Sequence, residues 1–75
     1  MSLFTMMQSH VADEIYTLRF DKGWSQQKVA DKLKTSRSQI CRLEDADDCS
    51  PSIATLVKLA KIYRKKLVIE FVDRN

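Results

Sequence analysis

Arg37, Ser38 and Arg42 fall at spacings that place them, with Cys41, on one side of a helix of 3.6 residues per turn. Ile40 and Leu43 fall on the other side. An arginine fork can donate two parallel hydrogen bonds to adjacent acceptors, as guanine O6 and N7 present them in the DNA major groove. A serine hydroxyl serves either kind of base, and the Gln39 amide suits adenine. The polar face of residues 37–42 therefore has the chemistry of base-edge reading, provided that Ile40 and Leu43 anchor the opposite face in a core.

Other chemistries find little material. The chain has one histidine, His10, and two cysteines, Cys41 and Cys49, too few for a four-ligand zinc site at ordinary spacing. No glycine-rich phosphate loop and no Ser/His/Asp or Cys/His constellation is present, so neither an enzyme nor a cofactor or metal site is expected. Two cysteines without a basic, apolar leader fit free thiols in a reducing compartment. Cys41 reads as a small surface residue rather than a redox sensor. The longest uninterrupted aliphatic run is Leu67-Val68-Ile69, far short of the roughly 20 residues that span a bilayer. A cytoplasmic protein is the expectation.

Charge narrows the reading. Thirteen Lys+Arg against ten Asp+Glu give a formal +3, a mild excess. Its distribution is uneven. Between Lys22 and Glu44 six cations (Lys22, Lys28, Lys32, Lys34, Arg37, Arg42) face two acids (Asp31, Glu44). Asp45, Asp47 and Asp48 then reverse the sign, and Arg64-Lys65-Lys66 reverses it again, so one basic face should lie beside an acidic loop. Lys65 and Lys66 suit either a solvated hinge or a second DNA contact.

The elements that must hold these residues are mostly helical, since one glycine and one proline in 75 residues disfavour an all-β chain. Val11, Ile15 and Leu18, flanked by Ala12, Tyr16 and Arg19, predict an amphipathic helix from about Ser9 to Lys22, closed by Gly23 as a left-handed C-cap. Ser25 is a good N-cap for the next helix, with Trp24 placed to pack on Val29 and with Ala30 and Leu33 continuing inward. Ser36 to Gln39 matches a capping box for a third helix ending near Glu44. Ser50 or Ser52 caps a fourth, Ser50 being favoured because Pro51 would then occupy the first helical position. Ile53, Leu56, Val57, Ala60 and Tyr63, widened by Leu59 and Ile62, make this fourth helix the best-buried element expected, and Trp24 and Tyr63 read as core.

The segment Ser25 to Glu44 resembles the helix-turn-helix of the phage repressor and Cro family, also called XRE-like. The likeness lies in Gln26 at the motif start, Ala30 where the helices cross, Ile40 and Leu43 as core contacts, and Glu44 after them. It extends over roughly Val11 to Tyr63. The resemblance implies an all-α, compact four- to five-helix DNA-binding domain, with base reading by Arg37, Ser38 and Arg42 and a phosphate contact from Gln26. A helix N-terminus favours such a contact through its free amides and dipole. Lys28, Lys34, Thr35 and Ser36 are secondary phosphate candidates, which set register without reading sequence; Ser25 and Ser36 act chiefly as caps. Two departures stand out. Lys34 occupies the turn position where the family usually has glycine, at a strain of order 1 kcal/mol. The loop Asp45, Asp47, Asp48 is acidic where neutral or basic residues are usual, so no phosphate contact is assigned to it.

After Lys66 the pattern changes to Leu67-Val68-Ile69-Glu70-Phe71-Val72, whose alternation and β-branched content predict a strand. A single strand leaves its backbone unpaired, and the same strand of a second copy across a two-fold axis is the economical partner. Leu67, Val68, Ile69, Phe71 and Val72 would form that dimer interface. Pairing with Leu3 to Met7 of the same chain is the alternative. The C-terminal segment also resembles the final strand of HigA- and HipB-like antitoxins, which adds a cognate toxin to double-stranded DNA and a second copy as partners. The expected division is an N-terminal extension, 1–8, a helix-turn-helix domain, 9–64, and a dimerisation strand, 65–75. A dimer would also supply what a small core lacks, since single cores of this size seldom leave more than ~3–5 kcal/mol of net stability.

Overall fold

The computed structural model describes residues 2–74 and consists of four helices. The first, α1, runs over Leu3–Lys22; α2 covers Gln26–Leu33, α3 Arg37–Leu43 and α4 Ile53–Ile62. Each begins at a serine in extended conformation. Ser2, Ser25, Ser36 and Ser52 accept from the amides of Thr5, Lys28, Gln39 and Thr55, which satisfies one otherwise free donor per helix. Ser52 thus holds the role expected of Ser50. Pro51 lies outside α4.

Two helix ends need left-handed backbone. Gly23 closes α1 at φ 68° without strain, as anticipated. Lys34 closes α2 at φ 57°, and the amide of Thr35 bonds back to the Ala30 carbonyl at 2.9 Å. The helix-turn-helix bend is therefore made by a lysine in a glycine conformation. Arg64, at φ 55°, repeats the device after α4, with the Lys65 amide on the Ala60 carbonyl at 2.8 Å.

The core is small and central. Ala12 and Ile15 of α1, Val29 and Ala30 of α2, Ile40 of α3, Cys49, Leu59 of α4 and Tyr63 are buried, and Val11, Leu18, Trp24, Leu33, Leu43, Leu56 and Ile62 pack around them. The α2 helix packs chiefly on α3. Ala30 is fully buried, and its methyl permits the close crossing expected there. Trp24 packs against the cluster containing Val29, and its ring stacks on Tyr63 with centroids 5.2 Å apart.

Four expectations need correction. First, α1 starts at Leu3 rather than near Ser9, because Ser2 supplies a cap that the apolar stripe beginning at Val11 does not reveal. Second, Leu67 to Val72 form no strand. A strand exists only through ladder hydrogen bonds, and none reaches this segment among the described residues. Third, pairing with Leu3 to Met7 is excluded, since that stretch is helical. Fourth, α4 is not the best-buried element. Its inward face is centred on Leu59 and Tyr63, leaving Ile53 66% and Val57 37% exposed.

The molecule is extended for its length. Its radius of gyration of 12.7 Å exceeds the roughly 11 Å of a compact 75-residue globule. The 20-residue α1 accounts for part of this. It overhangs the core at its N-terminal end, where Leu3, Phe4, Met6 and Met7 are exposed. Although long, α1 is not apolar enough to cross a membrane, and neither is any other helix among the described residues.

Candidate nucleic-acid interface

The interface is built on α3. Ile40 is 1% exposed and Leu43 half-buried, so the helix is anchored by the two residues expected to hold it. The other face is free. Arg37, Ser38, Gln39, Cys41 and Arg42 are all exposed, as are Lys28, Lys34, Thr35 and Ser36. Ser36 caps α3, accepting from the Gln39 amide at 3.2 Å, so its hydroxyl is committed to the helix start.

Gln26 differs from the rest of this set. It is half-buried, and its amide donates to Glu44 Oε1 at 3.2 Å. Glu44, whose side chain is 6% exposed, is itself held by a fork from Arg19. Arg19 Nε donates to Glu44 Oε2 at 2.6 Å and Nη2 donates to Oε1 at 2.9 Å. Arg19 Nη1 completes the set on the Trp24 carbonyl at 2.9 Å. The hydrogen bond to Glu44 holds the Arg19 guanidinium above its ordinary pKa, against the opposing effect of burial. A bidentate, charge-assisted pair of this kind fixes three elements at once. It ties the end of α1, the start of α2 through Gln26, and the end of α3.

Sequence spacing alone gave Arg19 no role at the site. The signal was present, since Arg19 lies four residues after Ile15 and so on the buried stripe of α1, where a charge needs a partner. A second unanticipated interaction involves the acidic loop. Arg42 Nε donates to Asp48 Oδ2 at 3.0 Å, with side chains 61% and 49% exposed. A carboxylate of this loop thus occupies one of the base-reading candidates. Asp45 turns inward on its own loop, accepting from the Asp47 amide at 2.9 Å.

Lys28 lies over the Trp24 ring, 5.2 Å from its centroid, together with Lys22 and Lys32. The cysteines are free, Cys41 exposed and Cys49 buried, and burial raises the Cys49 thiol pKa. The Gln8 side chain donates to the Cys49 carbonyl at 3.0 Å and clips the early part of α1 onto the loop before α4. Among the described residues no group of histidines, cysteines and carboxylates is placed to hold a metal ion.

The arrangement is two short helices joined by a tight left-handed turn, with the second presenting arginine, serine and glutamine outward from an anchored apolar face. No curated protein and no solved structure matches the chain. The family model described as helix-turn-helix matches residues 15–69, well over half of the sequence. It spans α1 from Ile15 onward, α2, the turn at Lys34, α3 and α4 together. The chain belongs to the XRE-type helix-turn-helix family of DNA-binding transcription regulators.

Proposed function

We propose that this protein is a dimeric, sequence-specific repressor that reads a two-fold symmetric operator through the DNA major groove. The observation that carries the reading is the exposed set Arg37, Ser38 and Arg42 on a helix whose other face is anchored by Ile40. Arg37 and Arg42 read base edges, and Gln39 is a further base candidate at the same helix start. Gln26 contacts phosphate, its amide oriented by Glu44. Lys28, Lys34, Thr35 and Ser36 add backbone contacts that set register.

Dimerisation draws on the apolar residues that one copy leaves in water. Val68, Ile69 and Phe71 are 66%, 59% and 103% exposed, and Val72 is 78% exposed. Side chains of this size are rarely left in solvent as a contiguous run. Two tails pairing antiparallel would cover them and supply the ladder bonds each lacks. Two recognition helices would then sit about 34 Å apart, one turn of DNA. The same segment supports a second reading, an antitoxin whose tail also engages a toxin protein.

Selection of bound duplexes from a random pool tests the repressor reading. The expected product is an inverted repeat with half-site centres about 10 bp apart. Truncation after Lys66 should yield a monomer by sedimentation and abolish preference for the paired site. Recovery of only a single half-site by the full chain, or a truncated protein that still sediments as a dimer, would overturn the dimeric reading. Co-purification of a small partner through the tail would select the antitoxin reading.

A further inference from the structure

A second basic feature lies beside the helix-turn-helix. Two adjoining grooves run along the C-terminal half of α2 and the outer side of α4. The first is lined by Thr35, Gln39, Thr55, Lys34 and Lys58, and the second by Lys32, Lys34, Lys58 and Lys61. No carboxylate lines either groove. They share Leu33, Lys34 and Lys58, so the lysines form one continuous path that starts at the recognition turn and leads away from it. Lys32 continues the path to the Trp24 ring, where its ammonium lies 4.8 Å from the centroid and those of Lys28 and Lys22 lie at 5.2 and 5.8 Å.

Among the described residues none of these lysines is ion-paired; the ion pairs there are Arg19–Glu44 and Arg42–Asp48. The nearest acid in sequence, Asp31, accepts from the Gln27 side chain at 2.8 Å. Gathering like charges around one ring and along two grooves is electrostatically unfavourable until an anion joins them. Lysine supplies mobile point charges without the fixed fork of arginine, which suits a repeating phosphate backbone better than a defined carboxylate.

We propose that Lys32, Lys58 and Lys61, continuing from Lys34, form a phosphate track that grips the duplex flanking the operator. The proposal rests on the DNA-binding reading and extends its footprint beyond α3. Lys58 and Lys61 are exposed, so replacing them leaves the core intact.

The test compares the native chain with Lys58→Gln/Lys61→Gln on two duplexes, the selected site alone and the same site with about 10 bp added on each side. Affinity is measured as a function of salt. On the long duplex the slope of log K against log salt should fall in magnitude by about 3.6 for the bound dimer, at roughly 0.9 for each of the phosphates that the two lysines of each protomer no longer neutralise. On the short duplex it should not change. Equal slopes for both proteins on both duplexes, or equal reductions on both, overturn the track. Loss of binding to poly-glutamate with DNA binding unchanged overturns it in favour of an acidic protein partner. Arg42→Ala on the short duplex reports the groove reading separately, since its sequence preference does not depend on the flanks.

Discussion

Replacing Glu44 by alanine should unfold much of the domain. The carboxylate is 6% exposed and receives three donors, two from Arg19 and one from Gln26. Removing one member of a buried ion pair costs about 3–5 kcal/mol, because the other charge stays buried without compensation. Arg19 is 17% exposed and keeps its bond to the Trp24 carbonyl, so some water reaches it and the cost falls to about 2–4 kcal/mol. A domain of this size has a net stability of about 3–5 kcal/mol, so the loss is close to the whole. Urea melts followed by circular dichroism should show the midpoint collapsing for Glu44→Ala, while Arg19→Met/Glu44→Met stays within about 1 kcal/mol of the native chain. A non-additive cycle, with coupling of about 2 kcal/mol, is the signature of the pair. If Glu44→Ala costs under about 0.5 kcal/mol, or the single changes simply add, the three-element clamp is not what holds α1, α2 and α3 together.

Three further outcomes follow from other interactions. Asp48→Asn frees Arg42 from its 3.0 Å ion pair and should raise operator affinity several-fold with little change in melting temperature, since an exposed pair contributes only about 0–1 kcal/mol; unchanged or weaker binding in a retardation assay would count against competition for Arg42. Tyr63 is 2% exposed with its hydroxyl unpartnered, so Tyr63→Phe should stabilise by on the order of 1 kcal/mol, and a clear loss of stability would contradict the burial argument. Burial, reinforced by the negative Glu44, raises the Tyr63 pKa above its ordinary 10.0. The folded state therefore holds the phenolic proton more tightly, and its stability should be full below about pH 10 and fall as pH rises through the raised value. The phenylalanine variant should lack that component of the alkaline decline.

Much of the fold was legible because local rules agreed with one another. Ser25 and Ser36 mark two helix starts, and Gly23 and Lys34 mark two ends, whereas the Ser2 cap of α1 lies ahead of the apolar stripe that announces the helix. Where two signals competed, the sequence was ambiguous. Ser50 and Ser52 both suit a cap, and only the path of the chain from Cys49 decides between them. The apolar periodicity of α4 is too broad to say which side faces inward, since Ile53 and Val57 satisfy the stripe as well as Leu59 and Tyr63 do.

The interface divides in the same way. Outward presentation of Arg37, Ser38 and Arg42 follows from the phase of Ile40 and Leu43 within one short helix, a local property. The Arg19–Glu44 clamp joins residues 25 apart in sequence, and the groove shared by Lys58 and the turn at Lys34 is walled by two separate helices. Spacing along a chain cannot express such pairings. The tail shows a third limit, because a strand is a property of two backbones, and the β-branched pattern of Leu67 to Val72 is no more than a disposition until a partner arrives.

The central claim is that α3 reads base edges while Gln26 grips the backbone, and the ratio of operator to random-duplex affinity at one fixed salt concentration tests it most directly. Arg37→Ala and Arg42→Ala should each lower that ratio by roughly 5- to 150-fold, equivalent to about 1–3 kcal/mol. Gln26→Ala should weaken both duplexes alike and leave the ratio unchanged. If the ratio stays at the native value in both arginine variants, α3 does not read the operator through Arg37 and Arg42.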